Sequence, residues 1–165
     1  MTTSTVPLPQ GSHDVSPLAA AIARNTDEGG LGKFLESYRW SVLAQYVQPA
    51  TLPRGHLLIA QGARERSLYF LESGNLKVDT KTSAGLVHLA ILGPGTVVGE
   101  GSFFSGLPRN ASVAAYSDCK VWELGIARFA SLAHEHPSVA LALSQALGAV
   151  LASRMLDVSK RLALT

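Results

Sequence analysis

Two charged residues, Glu100 and Arg109, stand nine positions apart in the stretch Gly95 to Val113, which holds no other Asp, Glu, Lys or Arg. An arginine can fork onto a phosphate through two parallel N–H bonds. An ionised glutamate only accepts hydrogen bonds, which suits sugar hydroxyls. Around them Gly95, Gly99, Gly101 and Gly106 allow sharp turns and close backbone approach to a ligand. Ser102 to Ser105 can form one helical turn whose unpaired N–H groups suit an anion. Residue types and spacing therefore suggest a site for a nucleoside monophosphate. A surface hairpin carrying a structural Glu–Arg pair fits the same residues, and both readings stay open at this level.

The elements that position this stretch come from the rest of the chain. Its 165 residues are 47% hydrophobic and 16% charged, with a net charge of +2. That is enough for one domain with a real core, and gives no electrostatic case for nucleic acid or a membrane surface. Cys119 is the only cysteine, which excludes a disulfide framework and is read as a buried, inert thiol. No secretory signal precedes the first proline, and the expected location is cytoplasmic. Pro137 to Ser153 is uncharged but short for a membrane span and interrupted by Ser138, Ser144, Gln145 and Gly148; it is read as a packed helix.

Residues 1 to 30 read as a flexible arm, broken by Pro7, Pro9, Gly11 and again at Asn25 to Gly30. Within it, Pro17 to Arg24 suits a short helix with Ser16 as N-cap. Leu31, Phe34, Leu35, Trp40, Leu43, Ala44 and Val47 predict a helix over 32–47, ended by Pro49 and Pro53. From about 49 to 124 the period changes to two, and short strands alternate with glycine turns: 56–60, 67–72, 76–80, 86–92, 111–116 and 120–124. This pattern suggests an antiparallel sandwich or barrel. Two helices follow, 126–134 and from His136-Pro137 to about 160. The second carries Val139, Leu143, Leu147, Val150, Leu151, Met155 and Val158 on one face and small residues on others. A helix apolar around most of its circumference needs cover on both sides, and a homodimer through it is expected.

Other chemistries find little support. No two histidines share a helix at i, i+4, and His88 stands alone on its strand, so no metal is expected. No G-x-S-x-G elbow, P-loop or paired carboxylates occur, and no enzyme activity or cofactor is expected. Lys77, Lys81 and Lys120 are scattered over strands, and Arg64 and Arg66 lie in a turn; a solvated surface accounts for them.

Several motifs then occur in order and in register. Pro53-Arg54-Gly55 with Ile59-Ala60-Gln61-Gly62, Leu68 to Gly74, Leu92-Gly93-Pro94-Gly95, Gly99 to Ser112, and His136-Pro137 together resemble the cyclic nucleotide-binding domain family, the domain of catabolite activator proteins and kinase regulatory subunits. The resemblance covers about residues 32 to 160. It implies an α+β fold: an antiparallel, jelly-roll-like β-roll of about eight strands, with an N-terminal helix, a short cassette helix and two C-terminal helices, over residues 31–165.

It also implies roles. Arg109 pairs with the cyclic phosphate, helped by the backbone N–H groups of Ser102 and Asn110 or Ala111. Glu100 accepts from the ribose 2′-hydroxyl, supported by Gly99 and Gly101. Leu89, Ala90 and Val98 line the base, and Val150, Arg154 and Met155 of the last helix serve as its lid. Gly101 and Ser102 depart from the apolar-small pair common after the glutamate and make the turn more flexible. Asn110 replaces the usual Ser, Thr or Ala and leaves the base open, with a lean to cAMP over cGMP. Transcription factors of this type continue into a DNA-binding module, which this chain leaves no room for. The expected function is a regulatory sensor whose C-terminal helix moves on binding. The alternative is a nucleotide-independent dimerisation or partner-binding scaffold with a degenerate pocket.

Overall fold

The computed structural model describes residues 13–26 and 30–163, with side chains described as far as Asp157. The parts of the arm at 1–12 and 27–29, and the side chain of Val158, lie outside the described residues. Helix α1 (Ser16–Arg24) leads into two 3-10 turns at Leu31–Lys33 and Ser37–Arg39 and the single turn α2 (Trp40–Leu43). The strands are β1 (Gln48–Leu52), β2 (Leu57–Ile59), β3 (Ser67–Ser73), β4 (Leu76–Thr82), β5 (Gly85–Leu92), β6 (Val97–Val98), β7 (Ser112–Ala115) and β8 (Cys119–Gly125). Helix α3 (Glu100–Ser105) sits between β6 and β7, and α4 (Ile126–Glu135) and α5 (Pro137–Ala163) close the chain.

The eight strands form two four-stranded sheets, ordered β1-β8-β3-β6 and β2-β7-β4-β5, with antiparallel pairing throughout. This is the α+β β-roll that the resemblance implies. Alternation explains the layers: Leu71, Leu76, Val98, Val113 and Val121 meet in one buried cluster with strand residues of both sheets. A second cluster lies under the helices, where Leu68, Phe70, Trp122 and Leu124 meet Trp40, Leu43, Leu143, Leu147 and Val150. Trp40 packs edge-on against Phe70, ring centroids 5.3 Å apart. Burying each such side chain contributes roughly 1.5–3 kcal/mol against leaving it in water.

Three expectations change. Residues 32–47 are not one helix. Glu36 is extended (φ −68°, ψ 137°) and splits the segment, yet Leu31, Leu35, Trp40, Leu43 and Val47 are all buried. A Cβ on Gly32 would stand 2.6 Å from the Ile22 carbonyl oxygen, so the chain here follows the contour of α1. Next, α1 belongs to the domain rather than to a loose arm: Leu18, Ala21 and Ile22 are buried in the helix-side cluster or beside it. Its N-cap position is Val15, and the Asp14 carboxylate accepts from the Ser16 N–H at 3.0 Å, so Ser16 is the first helical residue instead of the cap. Finally, β1 forms where the reading ended a helix, because Gln48 to Leu52 pair in register with Glu123 to Cys119.

Helix α5 is long and apolar enough to cross a membrane by length and composition. In the fold its Val139, Ala140, Leu143, Ala146, Leu147 and Val150 are buried against the domain. Cys119 is buried, its thiol donates toward the Asn75 and Ser117 carbonyls at 3.2 Å, and burial pushes its pKa up.

Candidate functional site

The stretch from β6 to β7 wraps around one buried cation. Arg109 is 4% exposed. Its Nε donates to a Glu65 carboxylate oxygen at 3.1 Å, one Nη to the Gly99 carbonyl at 2.9 Å, and the other to the Ser67 carbonyl at 2.5 Å. Three of the five guanidinium donors are thus engaged. The backbone is pinned as well: the Arg109 N–H donates to Ala63 at 2.8 Å, and the Gly62 N–H donates to the Arg109 carbonyl at 2.7 Å. The turn Gln61–Ala63, read as part of a glycine turn, therefore clamps the arginine from below.

Gly99 makes this geometry possible. Its φ of +88° lies in the left-handed region, and a Cβ there would stand 2.7 Å from an Arg109 Nη and 2.8 Å from the Ser67 oxygen. Only glycine satisfies both conditions. Helix α3 starts directly after it, so the N–H groups of its first turn have no partner within the helix. Gly106 closes α3 at φ +70°, with its N–H donating to the Ser102 carbonyl at 2.9 Å. Gly101, by contrast, has open space where a Cβ would stand.

Glu100 is 6% exposed, and its partner is Arg154 of α5, not Arg109. One Arg154 Nη donates to the Glu100 carboxylate, and the other donates to the Val97 carbonyl at 2.7 Å. The structural Glu100–Arg109 pair is therefore not formed. Each of the two charges has its own counterion, Glu65 for Arg109 and Arg154 for Glu100. Of the three lid residues, Arg154 makes the polar contacts to this stretch. Val150 is buried at 1% in the helix-side core, and Met155 is 71% exposed.

The base-lining residues separate. Val98 is buried in the cluster between the sheets, whereas Leu89 and Ala90 are exposed on β5, at the far edge of its sheet. Leu89 falls at a register shift, since Val78 pairs with Ala90 and Asp79 with His88. The base region is thus an open surface in this state. Asn110 is exposed, and its carbonyl accepts from the Thr80 hydroxyl at 2.9 Å, which ties the end of the cassette to β4. Ser102 and Ala111 are half-buried on either side. His88 stands on β5 with its Nδ1 2.5 Å from Asp79.

The residues that sequence reasoning missed are Glu65, Arg66 and Ser67. They sit some forty positions before Arg109, and no local spacing marks them. Arg66, read as solvated surface, is half-buried and donates to the Phe103 carbonyl at 3.1 and 2.6 Å.

With this geometry in place, similarity to known proteins can be weighed. The profile of the family described as "Cyclic nucleotide-binding domain" matches residues 49–136, more than half of the chain. The chain belongs to the cyclic nucleotide-binding domain family. Among curated proteins it is similar to the CRP-like cAMP-activated global transcriptional regulator of Mycobacterium tuberculosis, at 28% identity over 135 residues, 81% of this chain and 58% of that protein. It thus spans little more than half the length of that regulator. It is also 36% identical over 107 residues to Glutaminase 2 of Bradyrhizobium diazoefficiens, covering 65% of this chain and 16% of the enzyme. Among solved structures, a cyclic nucleotide-binding domain from Methylobacillus flagellatus superposes with a TM-score of 0.77 over 90% of this chain and 83% of that one, at 22% identity; this supports the fold. The chain is a cyclic nucleotide-binding regulatory domain.

Proposed function

We propose that the domain senses cAMP in preference to cGMP, and that occupancy is read out by α5. The observation that carries the sensor reading, though not the lean to cAMP, is the pair of charges on this stretch: a buried Arg109 beside the first turn of α3, and a buried Glu100 held by an arginine from α5. The cyclic phosphate takes the two guanidinium donors that Gly99, Ser67 and Glu65 leave over, together with N–H groups of α3. The ribose hydroxyl donates to Glu100. That carboxylate is already bound by Arg154, so any shift of Glu100 toward ribose changes the contact that ties α5 to β6. Phe103 of α3 also packs edge-on against Phe129 of α4 at 5.2 Å, a second link from cassette to helices. Ligand shifts the position of α5 only by its differential affinity for the two arrangements.

Under this reading the domain is a non-catalytic, cytoplasmic regulator without a metal or prosthetic group. It forms a homodimer through the exposed side of α5. Leu141, Gln145, Gly148, Ala152 and Met155 follow one another at alternating spacings of four and three on that side, all exposed. Sedimentation of Leu141→Glu against wild type tests the dimer.

Calorimetric titration with cAMP, cGMP and a cyclic dinucleotide tests the sensor. Ligand at one hundred times its Kd stabilises the fold by about 2.7 kcal/mol. Absence of both heat and thermal shift at millimolar cAMP and cGMP would sink it. In that case the in-chain pairing of both charges, Arg109 with Glu65 and Glu100 with Arg154, favours a nucleotide-independent scaffold.

A further inference from the structure

Arg66 lies outside the cassette and outside every contact assigned to ligand above. Its guanidinium nonetheless reaches across to the C-terminal end of α3. Nε and one Nη donate to the Phe103 carbonyl at 3.1 and 2.6 Å, and the same Nη lies 3.5 Å from the Phe104 carbonyl. Among the described residues no carboxylate forms an ion pair with it. The last carbonyls of a helix carry its negative partial charge, and they need partners when the chain turns away. Here the Ser102 carbonyl takes the Gly106 N–H, and Arg66 takes those of Phe103 and Phe104. A six-residue helix has no length to hold itself, because forming the first turn costs more than it returns.

The backbone of Arg66 does a second job. Its carbonyl accepts from the Ile126 N–H at 2.9 Å, the first N–H of α4. The residues on either side of it, Glu65 and Ser67, both bind Arg109. One tripeptide at the head of β3 therefore holds Arg109, the far end of α3 and the start of α4. We propose that Arg66 is a positioning residue for phosphate recognition: it sets the direction of α3, and so aims the N–H groups of that helix at the anion without touching ligand. This rests on the cyclic nucleotide reading above.

The test uses the full chain and the variants Arg66→Ala, Arg66→Gln and Arg66→Lys. Affinity for cAMP is measured by calorimetry, and backbone hydrogen exchange is followed in the unliganded protein. Arg66→Ala is expected to bind roughly tenfold more weakly, the scale of one charge-assisted hydrogen bond, and to exchange faster at residues 101–106 than wild type while β3 and β8 keep their protection. Lysine retains the charge but not the fork, and is expected to restore part of both effects. If alanine does not fold, glutamine, which keeps a donor, serves for the same comparison. Wild-type affinity in Arg66→Ala, or weaker binding with unchanged exchange at 101–106, overturns the assignment to Arg66. Weakening that merely follows a loss of protection across the whole sheet, with no recovery by lysine, overturns it too. Wild-type protein that binds neither cyclic nucleotide overturns the underlying reading instead, and is seen before any variant is made.

Discussion

Under the proposed function, removing the Arg109 side chain abolishes phosphate binding, and the structure predicts that it costs stability as well. Arg109→Ala deletes three hydrogen bonds, and they are not equal. Glu65 is 43% exposed at its side chain and rehydrates readily. The Gly99 carbonyl keeps its bond from the Phe103 N–H at 3.1 Å. The Ser67 carbonyl loses its 2.5 Å donor in a buried setting, Ser67 being 8% exposed. An orphaned buried acceptor costs about 1–3 kcal/mol, and a lost charge-assisted bond a further 1.5 or so, which gives roughly 3 kcal/mol in all. For a domain of this size that is a fall of about 6–12 °C in Tm without ligand. Affinity for cAMP falls at the same time by roughly a hundredfold or more. Arg109→Lys keeps the charge but serves only one of the two carbonyls, and should lie between the two in both measurements. Differential scanning calorimetry and a cAMP titration on the same three proteins read both effects. An unliganded Arg109→Ala melting within about 2 °C of wild type would refute the account of a guanidinium that builds the cradle it serves.

Other outcomes follow from the same geometry. Gly99→Ala and Gly101→Ala should have opposite effects in thermal melts. The first forces a Cβ against Arg109 and the Ser67 oxygen at positive φ and destabilises by more than ~2 kcal/mol. The second meets open space in the first turn of α3 and stabilises by up to ~1 kcal/mol. Arg154→Leu removes the link from α5 to Glu100 and Val97; with Arg154 about a third exposed, the pair is worth about 1 kcal/mol. Hydrogen exchange should quicken over 151–157 and not over 139–147, and equal protection in both segments would count against α5 being tied there. Burial and the bond to Glu135 push the Tyr46 hydroxyl up to about 12 from an ordinary 10. A folded-state pKa raised in this way stabilises fully below pH ~10 and is lost as pH rises through ~12. The Tm of wild type should therefore fall toward that of Tyr46→Phe across this window, and parallel curves would show that the hydroxyl is not held.

How much of this could be read from residues alone differs by the range of the interaction. Strands announce themselves by alternation, so β3, β4, β5, β7 and β8 lie within a few residues of their expected bounds. The helix expected over 32–47 failed because its apolar spacing records only which side chains face inward. Leu31, Leu35, Trp40 and Leu43 face the core equally well from two 3-10 turns and one turn of α-helix. The two-residue strand β6 is too short for any period to mark it. Glu100 and Arg109 were legible because glycine spacing, a carboxylate and a guanidinium all fall within one stretch.

Their counterions were not, because Glu65 comes from β3's approach and Arg154 from α5, and only folding brings these to the cassette. This division bears on function. Under the proposed function, the residues that the family pattern names are the ones that meet ligand. The residues that decide how tightly ligand is held, and what its arrival moves, are the partners those residues have before it comes. In this domain both of those partners are charged: Arg154 already holds the Glu100 carboxylate that the proposed ribose contact would share, and Glu65 holds Arg109 through a donor that the proposed phosphate contact leaves alone. A single substitution at Glu65 or Arg154 is therefore expected to retune affinity while leaving Glu100 and Arg109 untouched.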